Sequence, residues 1–428
     1  MALRRGLSPE GTPCWESESQ GMWLLSRSIM REKYARLTGA SDDDLVDRVR
    51  SQQVCPHWSS KPPYYYIPGN RHTDNHKAQP QRTSPECFRS TEHYYWKPAS
   101  QGRMCIEEVD KKHFCAVMKA AGMRRISFVG DSMTRSMAMS LWNLLGDRKL
   151  SHNAAYSCHG WRGCSRWCPC GQILNASDDV VEIHQAPSLN HISQNLSLIE
   201  DTMRGSELTV INFGAHYTPR HFNDTQTARE AFATDLQELA KIVRRVKVDD
   251  PAKILVYRST PPGHPHCDKH VRQPPAAPGS EEERQLSAEW LASMTREPYE
   301  SFGWHLFAGF DRLARQTLGQ KSANGGAALM QWLDVTPMSK MRPDAHTAFR
   351  HDGGKLPPDC MHFTLPGVPD SWNKLLLSAI ARCTLQPRFQ LSQDGAFRVG
   401  LSPRSSSPNR TMVVSSRPHC GPLPSSSS

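Results

Sequence analysis

The chain has 428 residues, ample for one large domain or two ordinary ones with a sizeable core. Hydrophobic residues make up 38%, prolines number 32 and the mean hydropathy is −0.59, so part of the length must be loops or tails. A formal charge of +10 favours acidic partners, but the basic residues are dispersed (Arg4-Arg5, Lys111-Lys112, Arg124-Arg125, Arg244-Arg245) and no zinc-finger or RNA-binding signature accompanies them, so nucleic acid is not an expected partner.

In chain order, Met22-Trp23-Leu24-Leu25 is too short to cross a membrane or to form the core of a signal peptide. Residues 14–120, rich in Cys, Tyr, Trp and Pro, predict a smaller irregular lobe pinned by disulfides. An apolar, β-prone run at 124–129 then leads through Gly130-Asp131-Ser132 into a helical pattern at 131–145. A serine on a strand-to-helix turn is exposed as a nucleophile beside the N–H groups of a helix N-terminus, although Gly-Asp-Ser alone is a common surface tripeptide.

Further β-prone runs fall at 207–213, 253–257 and 331–335. Helical patterns fall at 225–246, where Ala228, Phe232, Leu236, Leu239 and Ile242 share a face, and at 299–318. Strands alternating with helices predict a parallel sheet covered on both faces, closed by a helix at 372–381. Ligands of such sheets bind beyond the carboxyl ends of the strands, so Ser132, Asn212-Phe213-Gly214 and Arg258 are expected to converge. Far downstream, Asp359-Cys360-Met361-His362 offers a carboxylate and an imidazole within one turn. A serine hydroxyl needs a base, for which His362 is the candidate, with Asp359 to orient it and Asp334 as a second candidate for that orienting role. The stretch 384–428, rich in Ser, Pro and Arg, has too little apolar surface to offset its ordering entropy and is expected to be disordered.

Thirteen cysteines are many for a cytosolic enzyme and suit a disulfide-stabilised luminal one; the odd count spares one, most easily Cys420. Sequons at Asn175, Asn195, Asn223 and Asn409 point the same way. The cluster Cys158, His159, Cys164, Cys168 and Cys170 is read as disulfide-forming ahead of zinc-binding, because its spacing lacks paired C-x₂₋₄-C units; no metal is expected at the serine site.

The run Asp334-Val335-Thr336-Pro337-Met338-Ser339, then Arg342, Asp344 and His346, then Asp359-Cys360-Met361-His362-Phe363, and Leu365-Pro366-Gly367-Val368-Pro369-Asp370-Ser371-Trp372-Asn373 resembles the plant-type trichome birefringence-like (PC-esterase) family. Phe128-Val129-Gly130-Asp131-Ser132 is similar to its nucleophile block, and Tyr257-Arg258-Ser259-Thr260-Pro261-Pro262-Gly263-His264 with Cys267 to its Arg-Thr-x-Ser-Pro-x-His segment. The likeness thins upstream, through Trp96-Lys97-Pro98, Trp23 and Cys14. Ser259, Pro261 and Thr364 depart from the pattern; Thr364 stands where a second cysteine is usual, which leaves one disulfide of the family framework open.

The resemblance implies an α/β fold of the SGNH-hydrolase kind, three-layered with a parallel central sheet. It implies a polysaccharide O-acetyltransferase of the Golgi and secretory pathway, in which Ser132 takes an acetyl group from a donor, acetyl-CoA being the candidate, and passes it to a hydroxyl of a xylan-, mannan- or pectin-like acceptor. No bound cofactor is implied. The Ser132 N–H, Gly130 and the Asn212 amide are the oxyanion candidates, and Arg258 is the cation candidate for a substrate group or an internal ion pair. Cys360 is better read as bridged to Cys267 than as a nucleophile, although pairing does not follow from spacing. Family members carry an N-terminal membrane anchor; the match begins already near Cys14, so the anchor is expected to be missing from this chain through truncation or an unrecognised start, unless the chain is a soluble variant. The expected division is a lobe at 1–120, a catalytic domain at 121–383 and a tail at 384–428. A carbohydrate acetylesterase and a non-catalytic glycan-binding protein are the alternatives.

Overall fold

The computed structural model describes residues 21–25, 94–98, 109–145, 164–170, 180–270, 276–319, 328–346, 358–363, 367–384, 389–391 and 397–399. Strands β1 (Gly21–Leu25) and β2 (Tyr94–Pro98) pair antiparallel and set Trp23 opposite Trp96. Helix α1 (Lys111–Ala121) follows, begun by Asp110, whose side chain accepts from the His113 N–H, and ended by Gly122 at φ 65°. Then come β3 (Arg125–Gly130), α2 (Ser132–Leu144), β4 (Cys164–Pro169), β5 (Val180–Gln185), α3 (Leu196–Arg204), β6 (Leu208–Asn212), α4 (Thr225–Asp249) and β7 (Ile254–Arg258). The chain continues through α5 (Glu281–Met294), α6 (Phe307–Leu318), β8 (Gln331–Leu333), α7 (Thr336–Lys340) and α8 (Val368–Thr384), ending in β9 (Phe389–Leu391) and β10 (Phe397–Val399).

Six strands form the main sheet in the order β4-β5-β3-β6-β7-β8; all neighbours are parallel except β4, which joins the edge antiparallel. Because strand side chains alternate, the two faces can be read off the buried residues. Ile126, Phe128, Leu208, Val210 and Val256 share one core with α1, α2 and α8. Val129, Ile211, Leu255 and Tyr257 share the other with α3, α4 and α6. The expected three-layer α/β fold with a parallel sheet is the observed one.

Several local expectations need correction. The helix read at 299–318 is two short 3₁₀ turns followed by α6, because Gly303 sits at φ 66° and breaks the run. Helix α1 and the β1–β2 pair do not stand apart from the sheet: Phe114, Trp23 and Trp96 lie in the same core as β3 and α8. Trp23 donates from Nε1 to the Met338 carbonyl at 2.7 Å, and the Arg342 guanidinium lies 4.5 Å from its ring centroid. Within the stretch expected to be disordered, β9 and β10 pair antiparallel; its other residues beyond α8, with Cys420 and Asn409, lie outside the described residues. So do Cys14, Cys158, His159 and Asn175, while Asn195 and Asn223 are exposed. No helix among the described residues is long and apolar enough to cross a membrane.

Two disulfides join distant segments. Cys115 on α1 bonds Cys170 just after β4, which removes Cys170 from any zinc set, and Cys168 lies 3.7 Å from the Cys115 sulfur. Cys267 bonds Cys360, as expected, and ties the chain beyond β7 to the segment that carries His362.

Candidate active site

Ser132 is the first residue of α2, directly beyond β3, and the turn is made by its two predecessors. Gly130 pairs with Asn212 across the sheet at φ 149°, and a Cβ there would lie 2.1 Å from the Asn212 carbonyl oxygen and 2.6 Å from Thr134 Oγ1. Buried Asp131 accepts the Met133 N–H at 2.9 Å and so caps α2. A Gly130→Ala protein is expected to lose at least about 1–3 kcal/mol, since the residue is both strained and overpacked. Denaturant unfolding measures this, and a wild-type midpoint would mean that β3 can retreat from β6.

The Asp-x-x-His spacing explains itself in the fold. The Asp359 carboxylate folds back to accept the backbone N–H groups of Met361 (3.2 Å) and His362 (3.0 Å), closing a tight turn. The same turn brings His362 Nδ1 to 2.9 Å from Asp359 Oδ2 and 3.1 Å from Oδ1. With Nδ1–H donated to a carboxylate, Nε2 is the bare nitrogen, and it stands 2.7 Å from Ser132 Oγ. Ser132, His362 and Asp359 thus form one connected line from residues 230 positions apart.

Burial, the largest single influence, disfavours charge on both members of the pair. For His362 the charge and hydrogen bond of Asp359 together outweigh it and hold the imidazole above its ordinary value. For Asp359 the reciprocal attraction and the two backbone donors outweigh it and hold the carboxyl well below the usual range. Asp334 takes no part: its carboxylate accepts from Ser259 Oγ and the Thr336 N–H, both at 3.1 Å, as a turn residue at the end of β8.

Asn212 and Arg258 converge beneath the serine but not in the expected roles. Both hydrogens of the Asn212 amide are donated inward, to the Arg258 carbonyl (2.9 Å) and Thr260 Oγ1 (3.0 Å), so it aims no donor at an oxyanion. Its Oδ1 accepts from Arg258 Nη2 at 2.7 Å. Arg258 is fully buried, with Nη1 donating to the Ser259 carbonyl at 2.9 Å and the guanidinium 4.9 Å from the Trp372 centroid. Among the described residues no carboxylate lies in ion-pair contact with it, and burial pushes it down to about 10. It ties β6, β7 and α8 together rather than facing a substrate. The Ser132 N–H, at the start of α2 where helical donors lack intrahelical partners, remains as the candidate oxyanion donor.

Three residues near the line carried no expectation. His216, half-buried just after the Asn212-Phe213-Gly214 block, is close enough to feel Asp131 and His362, and burial pushes its imidazole down. Trp372 supports Arg258, and His346 packs behind His362; both sat in the quoted motif, where only their sequence context marked them.

The family model of PC-Esterase, a GDSL/SGNH-like acyl-esterase family found in Pmr5 and Cas1p, matches residues 217–379. That stretch contains Asp359 and His362, while Ser132 comes from β3–α2 upstream of it. Among Arabidopsis thaliana proteins, trichome birefringence-like 42 is 49% identical over 51 residues (12% of this chain, 14% of the relative) and trichome birefringence-like 38 is 49% identical over 49 residues (11% and 12%). Trichome birefringence-like 9 is 23% identical over 297 residues, 60% of this chain and 65% of the relative. The chain therefore spans about an eighth of the length of the first two relatives and less than two thirds of the third. The PC-esterase match over residues 217–379, the ordered similarities to trichome birefringence-like proteins and the SGNH-like sheet agree, and together they support assigning the chain to that family.

Proposed function

We propose that the chain is an O-acetyltransferase that carries an acetyl group on Ser132 to hydroxyls of a secreted or cell-wall polysaccharide. The observation that carries this reading is the Ser132 Oγ to His362 Nε2 contact of 2.7 Å, with Asp359 on the opposite nitrogen. His362 takes the Ser132 proton as Oγ attacks the acetyl carbonyl, then returns it to the donor's leaving group as the tetrahedral intermediate collapses. The acceptor hydroxyl then loses its proton to His362, attacks the acetyl-serine, and His362 restores the proton to Oγ. The negative oxygen in both steps falls to the Ser132 N–H and the α2 N-terminus. Acetyl-CoA is the candidate donor. The disulfides Cys115–Cys170 and Cys267–Cys360 suit a secretory lumen.

The test is the intact mass of the purified protein after brief exposure to an acetyl donor, beside Ser132→Ala, followed by xylan, mannan or pectin oligosaccharides. An acetyl adduct on wild type alone, discharged faster by one oligosaccharide than by water, supports the transferase and names its acceptor. Equal discharge by water alone makes the protein an esterase, and no adduct in folded protein leaves a glycan-binding role.

The base must be neutral to accept a proton, so the rate is expected to rise with pH through the His362 pKa, with a midpoint above the ordinary histidine value because Asp359 raises it. Asp359→Asn removes that attraction and should move the midpoint down while lowering the rate about 10⁴-fold. A pH–rate profile whose midpoint ignores Asp359→Asn would remove Asp359 from the line.

A further inference from the structure

Behind His362 lies a second pair of imidazoles that the proposed chemistry does not use. His264, on the loop beyond β7, and His346, three residues after the 3₁₀ turn Pro343–Ala345 begins, are both buried. His264 Nδ1 stands 2.5 Å from His346 Nε2, and His264 Nε2 stands 2.8 Å from the Lys340 carbonyl at the end of α7. His346 Nδ1 faces the carbonyl of His362 itself at 3.4 Å.

A carbonyl can only accept, so His264 Nε2 carries the proton, Nδ1 of the neutral ring is bare, and the proton between the rings belongs to His346 Nε2. Burial pushes His264 down to about 3 and His346 well down too, which keeps both rings neutral and the chain one-directional. His346 Nδ1 is then bare as well, and two acceptors face each other at the His362 carbonyl, which matches the long separation there.

The pair is built into the segment that holds the base. His346 bridges to Phe363 in a short antiparallel contact, and their rings stack 4.2 Å apart. The His264 N–H donates to the Cys360 carbonyl at 3.0 Å, three residues before the Cys267–Cys360 disulfide begins. Trp290 meets the His264 ring edge-on at 4.5 Å, and Gly263 leaves room for Trp304, whose ring a Cβ would meet at 2.4 Å. The rings thus run as a strut from α7 to the backbone on either side of His362.

We infer that His264 and His346 form a positioning pair, whose single directional hydrogen bond sets the height of the His362 backbone and hence the reach of Nε2 to Ser132. Neither ring touches the reacting atoms, so neither is a catalytic residue. Misplacing a reacting group by about 1 Å costs on the order of 10²-fold in rate, so losing the strut should lower kcat by about that factor and leave KM nearly unchanged.

Amide side chains separate this from simple packing. The nitrogen of glutamine reaches as far as histidine Nε2, whereas asparagine reaches only as far as Nδ1. His346→Gln should therefore keep the donor to His264 and most of the rate, while His346→Asn and His264→Gln, which lacks the Nδ1 acceptor, should lose about 10²-fold in kcat. The rate is read as acetyl-serine formation by intact mass, with the unfolding midpoint of each variant measured alongside. This part rests on the proposed acyl transfer. A second readout does not: nitrogen-15 histidine spectra of the whole chain should show His264 and His346 as neutral Nε2–H tautomers, and the His362 titration should move in His346→Asn but not in His346→Gln. Absence of any adduct on wild type would fail the transferase alone, leaving the spectra to decide the pair. Equal losses in folded His346→Gln and His346→Asn, Nδ1–H tautomers, or a His362 titration indifferent to both variants would overturn the positioning role.

Discussion

His362→Ala is expected to lower acetyl-serine formation by about 10⁴-fold while leaving the fold intact. Ser132 Oγ has no other base within reach in the described line: its imidazole partner is at 2.7 Å, and Asp131, next to it in sequence, is turned to cap α2. His362 is itself part-exposed, so its removal opens no sealed core. The loss should fall on kcat, and adding Asp359→Asn to His362→Ala should cost no more than His362→Ala alone, because members of one line act as a unit. Measured as adduct formation over time, a loss below about tenfold would mean that another group accepts the serine proton.

Trp372→Ala is expected to cost about 3–5 kcal/mol, the largest effect on stability among the single changes considered. The ring is fully buried in α8, receives the Arg258 guanidinium on its face, meets Phe363 edge-on at 5.7 Å and donates from Nε1 to Ser339 Oγ at 2.9 Å. Truncation leaves a cavity and strips a buried cation of its π partner at once. Arg258 holds Asn212, and Asn212 pairs with Gly130, so activity should fall with stability. Trp372→Phe, which keeps a ring and loses one hydrogen bond, should cost well under half as much. Urea unfolding of both proteins decides; a cost below about 1 kcal/mol for alanine would show that the site collapses around the missing ring.

The central sheet was legible because β3, β6 and β7 are buried on both faces and so read as unbroken apolar runs. The edge was not. In β5 buried Val181 and Ile183 alternate with Glu182 and His184 over only six residues, and β4 carries Pro169 and two cysteines, so neither has the signature of a central strand. Helix α5 buries only Trp290 and Met294 and has little periodicity; what marks it is Ser280 accepting from the Glu283 N–H, a cap signal written as S-x-x-E. At the site, Ser132, Asp359 and His362 were marked by element boundaries and spacing. The inward turn of the Asn212 amide was not, because it depends on where Arg258 and Thr260 lie across the sheet.

The order of the line along the chain has a consequence for biosynthesis. The nucleophile belongs to the first helix after the first parallel strand, whereas the base and its carboxylate come after the last strand of the main sheet and are held by a disulfide that reaches back 93 residues. A nascent chain therefore holds its serine without the base and carboxylate until every strand of its main sheet has been made. Under the proposed acyl transfer, an arrested chain would hold its serine without its base and spend no donor.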